Sequence, residues 1–152
     1  MRILGIDPGT RKLGIGVIEN GNFLKAQTIN LKSKDIQERL VYLSSMLSEF
    51  VSELPPHIAF LESTIYYKNV KTAIQLGAIR GVVLLELAKA NIKVIELSPT
   101  KIKGIITGNG QAKKTQVAYM VKHLLNIPDT VQMDENATDA LACALAGARS
   151  MR

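Results

Sequence analysis

Three carboxylates stand out because the chain could bring each of them to one point. Asp7 closes the strand-like run Arg2–Asp7, and the Pro8-Gly9-Thr10 turn that follows exposes its side chain. Glu62 closes a second apolar run, His57–Glu62, and is followed by the polar pair Ser63-Thr64. Asp139 sits near the start of an alanine-rich C-terminal helix. If the two runs are neighbouring strands, Asp7 and Glu62 emerge side by side, and a helix packed across that end delivers Asp139. Carboxylates a few ångströms apart resist joint ionisation. A divalent cation reverses the sign of that interaction, and Mg²⁺ shares hard carboxylate oxygens with substrate phosphate. Two such ions can activate a water on one side of a phosphate and stabilise the leaving oxygen on the other. Singly, each acid has an ordinary reading: a turn aspartate, a solvated strand end, a first-turn acid favoured by the helix dipole. Only the combination points to chemistry.

The charge balance supplies the surroundings such a pocket needs. The formal net charge is +6, which suits a binder of polyanions. Between Glu96 and Asp129 there is no acid, whereas Lys101, Lys103, Lys113, Lys114 and Lys122 all fall there. The plain alternative is a solvated lysine face on two helices. Other classes are set aside by composition. Apolar runs such as Gly81–Leu85 are far too short to span a bilayer. The opening residues lead straight into a strand rather than a signal peptide, and one cysteine, Cys143, excludes an internal disulfide. A cytoplasmic protein is expected. His57 and His123 lack ligand spacing for zinc. Gly108-x-Gly110 is too short for a dinucleotide fingerprint, and no P-loop is present.

Elements able to position the acids follow from the apolar pattern. Arg2–Asp7, Gly14–Glu19 and Asn22–Leu31 read as a meander, with Asn20-Gly21 as a two-residue turn. After Ser33, a candidate N-cap, apolar residues at Ile36, Leu40, Leu43, Leu47, Phe50 and Leu54 mark one face of a helix that Pro55-Pro56 ends. His57–Glu62 reads as a buried strand. A helix capped by Asn69 runs to about Ala90, Lys93–Leu97 is a strand, and Ser98-Pro99 starts a helix. The Thr107–Gln111 loop precedes helices over about Ala112–Leu125 and Asn136–Ser150. A meander followed by βαβα units predicts one α/β domain over residues 1–152, with a mixed sheet and helices on both faces.

In this frame the residues resemble the RuvC family of Holliday-junction resolvases. The resemblance is carried by Arg2-Ile3-Leu4-Gly5-Ile6-Asp7-Pro8-Gly9-Thr10, the strand ending in Glu62, Lys68-Asn69, Gly77-x-x-Arg80-Gly81, the Thr107–Lys114 loop, and Asp139-Ala140-Leu141-Ala142. These motifs stand in order along essentially the whole chain. The resemblance implies a ribonuclease H-like fold with a five-stranded mixed sheet. It implies a homodimer that binds four-way junction DNA and makes paired symmetric nicks using Mg²⁺ or Mn²⁺, two ions per site. It further implies cooperation with the RuvA–RuvB branch-migration complex. By motif position Asp7, Glu62 and Asp139 inherit catalytic and metal-ligand roles. DNA contact is implied for Lys103, Lys113, Lys114, Lys68 and Arg80. Gly77 and Gly81, four apart on a helix, admit a close backbone neighbour: the sheet beneath or, as the family implies, a second subunit.

Two positions depart from the family pattern. Three residues before Asp139, where the family carries an acid or histidine, this chain has Asn136. Asparagine offers a carbonyl oxygen but no charge, so metal affinity and rate should fall. Glu135, four residues before Asp139 on about the same helix face, could substitute, with Asp134 a weaker candidate ahead of the helix. After Glu62 the family places an aromatic able to stack on a base; here Ile65 is followed by Tyr66 and Tyr67, either of which could take that role. The alternatives are a junction-binding protein that has lost catalysis through Asn136, or a ribonuclease H-like nuclease of the YqgF kind acting on RNA. Actin-like ATPases and sugar kinases share a loop like Gly5–Thr10 but need two such domains.

Overall fold

A computed structural model describes residues 1–63 and 68–152. Its elements are β1 (Arg2–Asp7), β2 (Lys12–Glu19), β3 (Asn22–Asn30), α1 (Ile36–Glu53), β4 (Ile58–Glu62), α2 (Val70–Lys89), β5 (Lys93–Leu97), α3 (Pro99–Thr107), α4 (Lys114–Leu124) and α5 (Glu135–Ser150). The five strands form one sheet in the order β3-β2-β1-β4-β5. β1, β2 and β3 pair antiparallel, and β4 and β5 run parallel to β1. The expected mixed sheet is therefore present, with β1 central beside β4. Asn20 and Gly21 both adopt positive φ, 51° and 81°, as the hairpin turn between β2 and β3 requires.

Side-chain alternation along the strands divides the core in two. Leu4 and Ile6 of β1, Ile15 and Val17 of β2, and Ala59 and Leu61 of β4 pack with Leu43, Leu47 and Phe50 of α1 and Ile79, Val83 and Leu87 of α2. Ile3, Ile18 and Phe60, from the opposite parity, pack with α3, α4 and α5. Helices thus cover both faces. On the α5 face the strands carry glycines where the other face carries bulky residues. A Cβ on Gly5 would run into the Ala140 carbonyl and lie 2.5 Å from Ala144 N; one on Gly14 would strike the Asn136 carbonyl. These glycines, facing the alanines of α5, let that helix lie almost directly on the sheet.

Several boundaries differ from the pattern-based expectation for local reasons. The N-cap of α1 is Asp35, whose carboxylate accepts from Glu38 N, not Ser33. Ser33 sits two residues upstream, accepting from Asp35 N and hydrogen-bonding Glu38. β2 begins at Lys12 because the meander pairing extends to Lys12 and Asn30. α4 begins at Lys114 because side chains of Thr107 and Asn109 bond the intervening loop's own amides. Gly77 and Gly81 do not face the sheet: a Cβ at either would meet nothing within 4 Å. Asn69 and Ser98 cap α2 and α3 through their side chains, as their sequence contexts indicate. Cys143 is free and buried. No helix among the described residues is long and apolar enough to cross a membrane.

Candidate active site

β1 and β4 run parallel with Ile6 opposite Leu61, so Asp7 and Glu62 leave the same end of the sheet as neighbours. Both have the parity that faces α5. The tight seating of α5 on Gly5 and Gly14 brings its first turns over that end. Asp134 caps the helix by accepting from Ala137 N, and Thr28 donates a 2.5 Å hydrogen bond to Asp134, pinning the cap to β3. The result is a pocket of about 250 Å³ whose lining includes Asp7, Glu62, Glu135, Asn136, Asp139, Lys103 and Lys114. Three stretches of chain far apart in sequence line this one pocket.

The charges in this pocket are under strain. Burial pushes the Asp7 carboxyl up to about 8, reinforced by the charge of Glu62, a hydrogen bond shared with it, and the charge of Asp139. Glu62 is raised, chiefly by burial and also by Asp139, while the bond to Asp7 and the charges of Lys114 and Lys103 oppose the rise. Asp139 is raised by burial against the pull of Lys114. Lys114 Nζ lies 2.5 Å from Glu135 Oε1 and 3.7 Å from Asp139 Oδ2, and its bond to Glu135 raises its own affinity for a proton. As the side chains lie, no three carboxylate, imidazole or thiol groups among the described residues are gathered around a common ion position. Asp7 and Glu62 bond each other, while Asp139 reaches Lys114. The donor set nevertheless fits a hard divalent cation. Three half-buried carboxylates line one cavity, and all are harder to ionise than free acids.

The remaining sequence-derived candidates fall in different places. Asn136 lines the pocket beside Asp139, and Glu135 is present but held by Lys114. Asp134 is occupied as a helix cap, and the Thr28 hydroxyl holds its carboxyl below the usual carboxylate range. Lys113 is exposed at the start of α4. Lys68 is exposed just before α2. Tyr66 and Tyr67 lie outside the described residues. Arg80 is not in the pocket: its guanidinium is paired with Glu96, tying α2 to β5.

One positioning residue escaped the pattern. Arg39 of α1 is 1% exposed. Its Nη1 donates to the Thr10 carbonyl at 2.6 Å and its Nη2 reaches Gln75 of α2 at 3.5 Å. It therefore secures the turn directly after Asp7 from behind the sheet. The only signal in the sequence is an arginine lying next to the apolar stripe of α1. A larger cavity of about 450 Å³ beside Arg39, lined by β3, α1 and their connection, contains none of the three strand-end and helix carboxylates.

A mixed sheet in this order, with acids at the ends of two adjacent parallel strands and a third from a helix laid across them, defines a ribonuclease H-like nuclease. The family model described as crossover junction endodeoxyribonuclease RuvC matches residues 3–147. A RuvC from Carboxydothermus hydrogenoformans is 43% identical over 97% of this chain and 95% of that protein. One from Hydrogenovibrio crunogenus is 40% identical over 95% of this chain and 85% of that protein. The solved structure of Thermus thermophilus RuvC in complex with a Holliday junction substrate superposes with a TM-score of 0.93, at 27% identity, over all of this chain and 95% of that one. The chain belongs to the RuvC family of crossover junction endodeoxyribonucleases.

Proposed function

We propose that this protein is a structure-selective endodeoxyribonuclease, one nuclease domain that resolves four-way DNA junctions by paired, symmetric, metal-dependent nicks. The observation that carries this reading is the meeting of Asp7, Glu62 and Asp139 in one pocket, in a chain of the RuvC family. In it Asp7, Glu62 and Asp139 would hold Mg²⁺ or Mn²⁺, two ions per site, with the Asn136 carbonyl oxygen or Glu135 completing the ligand set. The ions, when bound, would activate the attacking water and stabilise the leaving oxygen. Asp7 and Glu62 present two carboxylates side by side on rigid strand ends. Lys103 and Lys114 line the same pocket and position the scissile strand by its phosphates, with Lys113 and Lys68 on the approaches. Lys114 leaves Glu135 and Asp139 for phosphate, which frees both acids.

Paired nicks need two such sites. An exposed apolar ridge on α2, with Val70 72%, Ile74 68% and Leu85 57% accessible and Gly77 and Gly81 open between them, suits the same ridge of a second copy. Glycines there let two helices approach closely. Either Tyr66 or Tyr67, which follow Glu62 in sequence, is offered for stacking on an unpaired base. Such a dimer would work with the RuvA–RuvB complex on chromosomal junctions, which implies a cytoplasmic location. The test is a synthetic four-way junction incubated with the protein and Mg²⁺. Two nicks at symmetric positions in opposing strands are expected. Absence of junction cleavage alongside cutting of RNA would favour the YqgF-like reading, and tight binding without cleavage the inactive one.

A further inference from the structure

The lysines between Glu96 and Asp129 lie on one side of the acidic pocket, on α3, on α4 and at the start of α4. A second group of cations lies on the other side. Arg11 and Lys12 form the tip between β1 and β2, and Lys32 and Lys34 belong to the connection between β3 and α1; all four are exposed. The two connections are joined: Leu31 N donates to the Arg11 carbonyl at 2.7 Å, and Arg11 Nη1 donates to the Ser33 carbonyl at 3.0 Å. Among the described residues none of the four forms an ion pair.

Nearby acids are already engaged. Asp35 caps α1, Glu38 bonds the Ser33 hydroxyl, and Asp134, which faces Lys12, caps α5 and accepts from Thr28. From Pro8 to Lys34 the only acid is Glu19, and it is paired with Arg2 at the opposite end of the sheet.

The register fixes where this patch lies. Asp7 pairs with Gly14, which pairs with Thr28, and Lys12 pairs with Asn30 two residues further along. With strands about 4.8 Å apart and about 3.3 Å of rise per residue, the patch starts roughly 8 Å from Asp7 at Lys12 and extends outward from there. That is about two or three base-pair steps of duplex at roughly 3.4 Å each. A strand threaded through the pocket must continue on both sides of it. The lysines of α3 and α4 serve one continuation, and the β3 side of the pocket needs phosphate partners of its own.

We propose that Arg11, Lys12, Lys32 and Lys34 form a second phosphate-binding surface, which holds the duplex arm on the side of the scissile phosphate away from α3 and α4. This rests on the nuclease reading for its purpose, but its test is separable from it. The wild type and the triple variant Lys12→Gln, Lys32→Gln, Lys34→Gln are compared for binding to a labelled four-way junction without divalent cation, across a salt series. Arg11 is kept because it holds the Ser33 carbonyl. Each phosphate contact adds roughly 0.9 to the slope of log affinity against log salt. The variant's slope should therefore fall by about 2 to 3, and its affinity at low salt by at least about 10-fold. An unchanged slope and affinity would overturn the proposal. So would a change in oligomeric state by sedimentation, since the patch would then face a subunit. Nicking of the junction by the wild type with Mg²⁺ is scored separately, so failure of the nuclease reading and failure of this surface give different results.

Discussion

The two faces of the sheet are built on opposite principles. Toward α1 and α2 the strands present Leu4, Ile6, Leu13, Ile15, Val17 and Leu61, and the helices answer with Leu43, Leu47, Phe50 and Ile79. Toward α5 they present Gly5, Gly14, Gly16 and Phe60 against Ala140, Ala144 and Gly147. The first face buries large side chains, at about 1.5–3 kcal/mol each, and is where most apolar stabilisation comes from. The second gives up side-chain volume for backbone proximity. Its small residues set the height of α5 above the strand ends, and that height decides whether Asp139 reaches Asp7 and Glu62. One face holds the molecule together and the other holds the site together.

The sharpest break between the faces is within the pocket itself. Asp7→Asn should lower junction nicking by at least about 10³-fold, roughly 4 kcal/mol of barrier, while junction affinity changes only a few-fold. Strand-resolved nicking and anisotropy on one preparation check this, and a variant that cuts normally would remove Asp7 from the site.

Gly5→Ala against Leu47→Ala tests the division directly. The added methyl has no space beneath α5, so overpacking should cost about 1–3 kcal/mol. It should also reduce the rate of the folded protein by roughly 10- to 100-fold, because a displacement near 1 Å misaligns the ligands. Leu47→Ala should cost more stability, about 2–5 kcal/mol, yet leave the rate per folded molecule unchanged. Denaturant midpoints paired with single-turnover rates separate the two. If Gly5→Ala loses only stability, the glycine face is structural alone.

Asn136→Asp adds a charge to the same wall of the pocket. The Mg²⁺ concentration for half-maximal nicking should fall by roughly 10-fold, since ligand charge sets affinity for hard cations. No change would assign the missing charge to Glu135.

The smallest effect concerns pH. The Asp7 carboxyl is raised to about 8 in the folded chain from an ordinary value of 3.8. The folded state therefore binds more protons than the unfolded one across that window, and metal-free stability should fall as pH rises from about 4 through 8. The shift belongs to a partly solvated pair, so a decline of a few °C in Tm is expected. Mg²⁺ should restore more at pH 8.5 than at pH 5.5. A metal-free Tm that rises over that range would contradict the assignment.

Much of this arrangement could be read along the chain because it is local. Apolar alternation marked β1, β4 and β5, Asn20-Gly21 the hairpin, and Asn69 and Ser98-Pro99 the helix starts; each depends on neighbours within a few residues. What escaped depends on distant partners. Asp35 displaces Ser33 as cap because a carboxylate two residues on meets the helix amides directly. Arg39 looks like a surface arginine until Thr10 and Gln75 are folded around it. For Gly77 and Gly81 the spacing alone favours packing on the sheet, which the rotation of α2 excludes. The second basic surface is split between connections about 20 residues apart, so no single window shows it. For the three acids, their places at element ends and the motif order within the RuvC family carried the assignment; register brings Asp7 and Glu62 together, and the seating of α5 adds Asp139.

Cation capture by the strand-end carboxylates is the claim most open to direct measurement. Mn²⁺ titrated into the protein at pH 8 and followed by electron paramagnetic resonance would read it without substrate. The wild type should bind one to two ions per chain, with Asp139→Asn losing most of that binding. Equal Mn²⁺ binding by wild type and Asp139→Asn would mean that α5 does not complete the site.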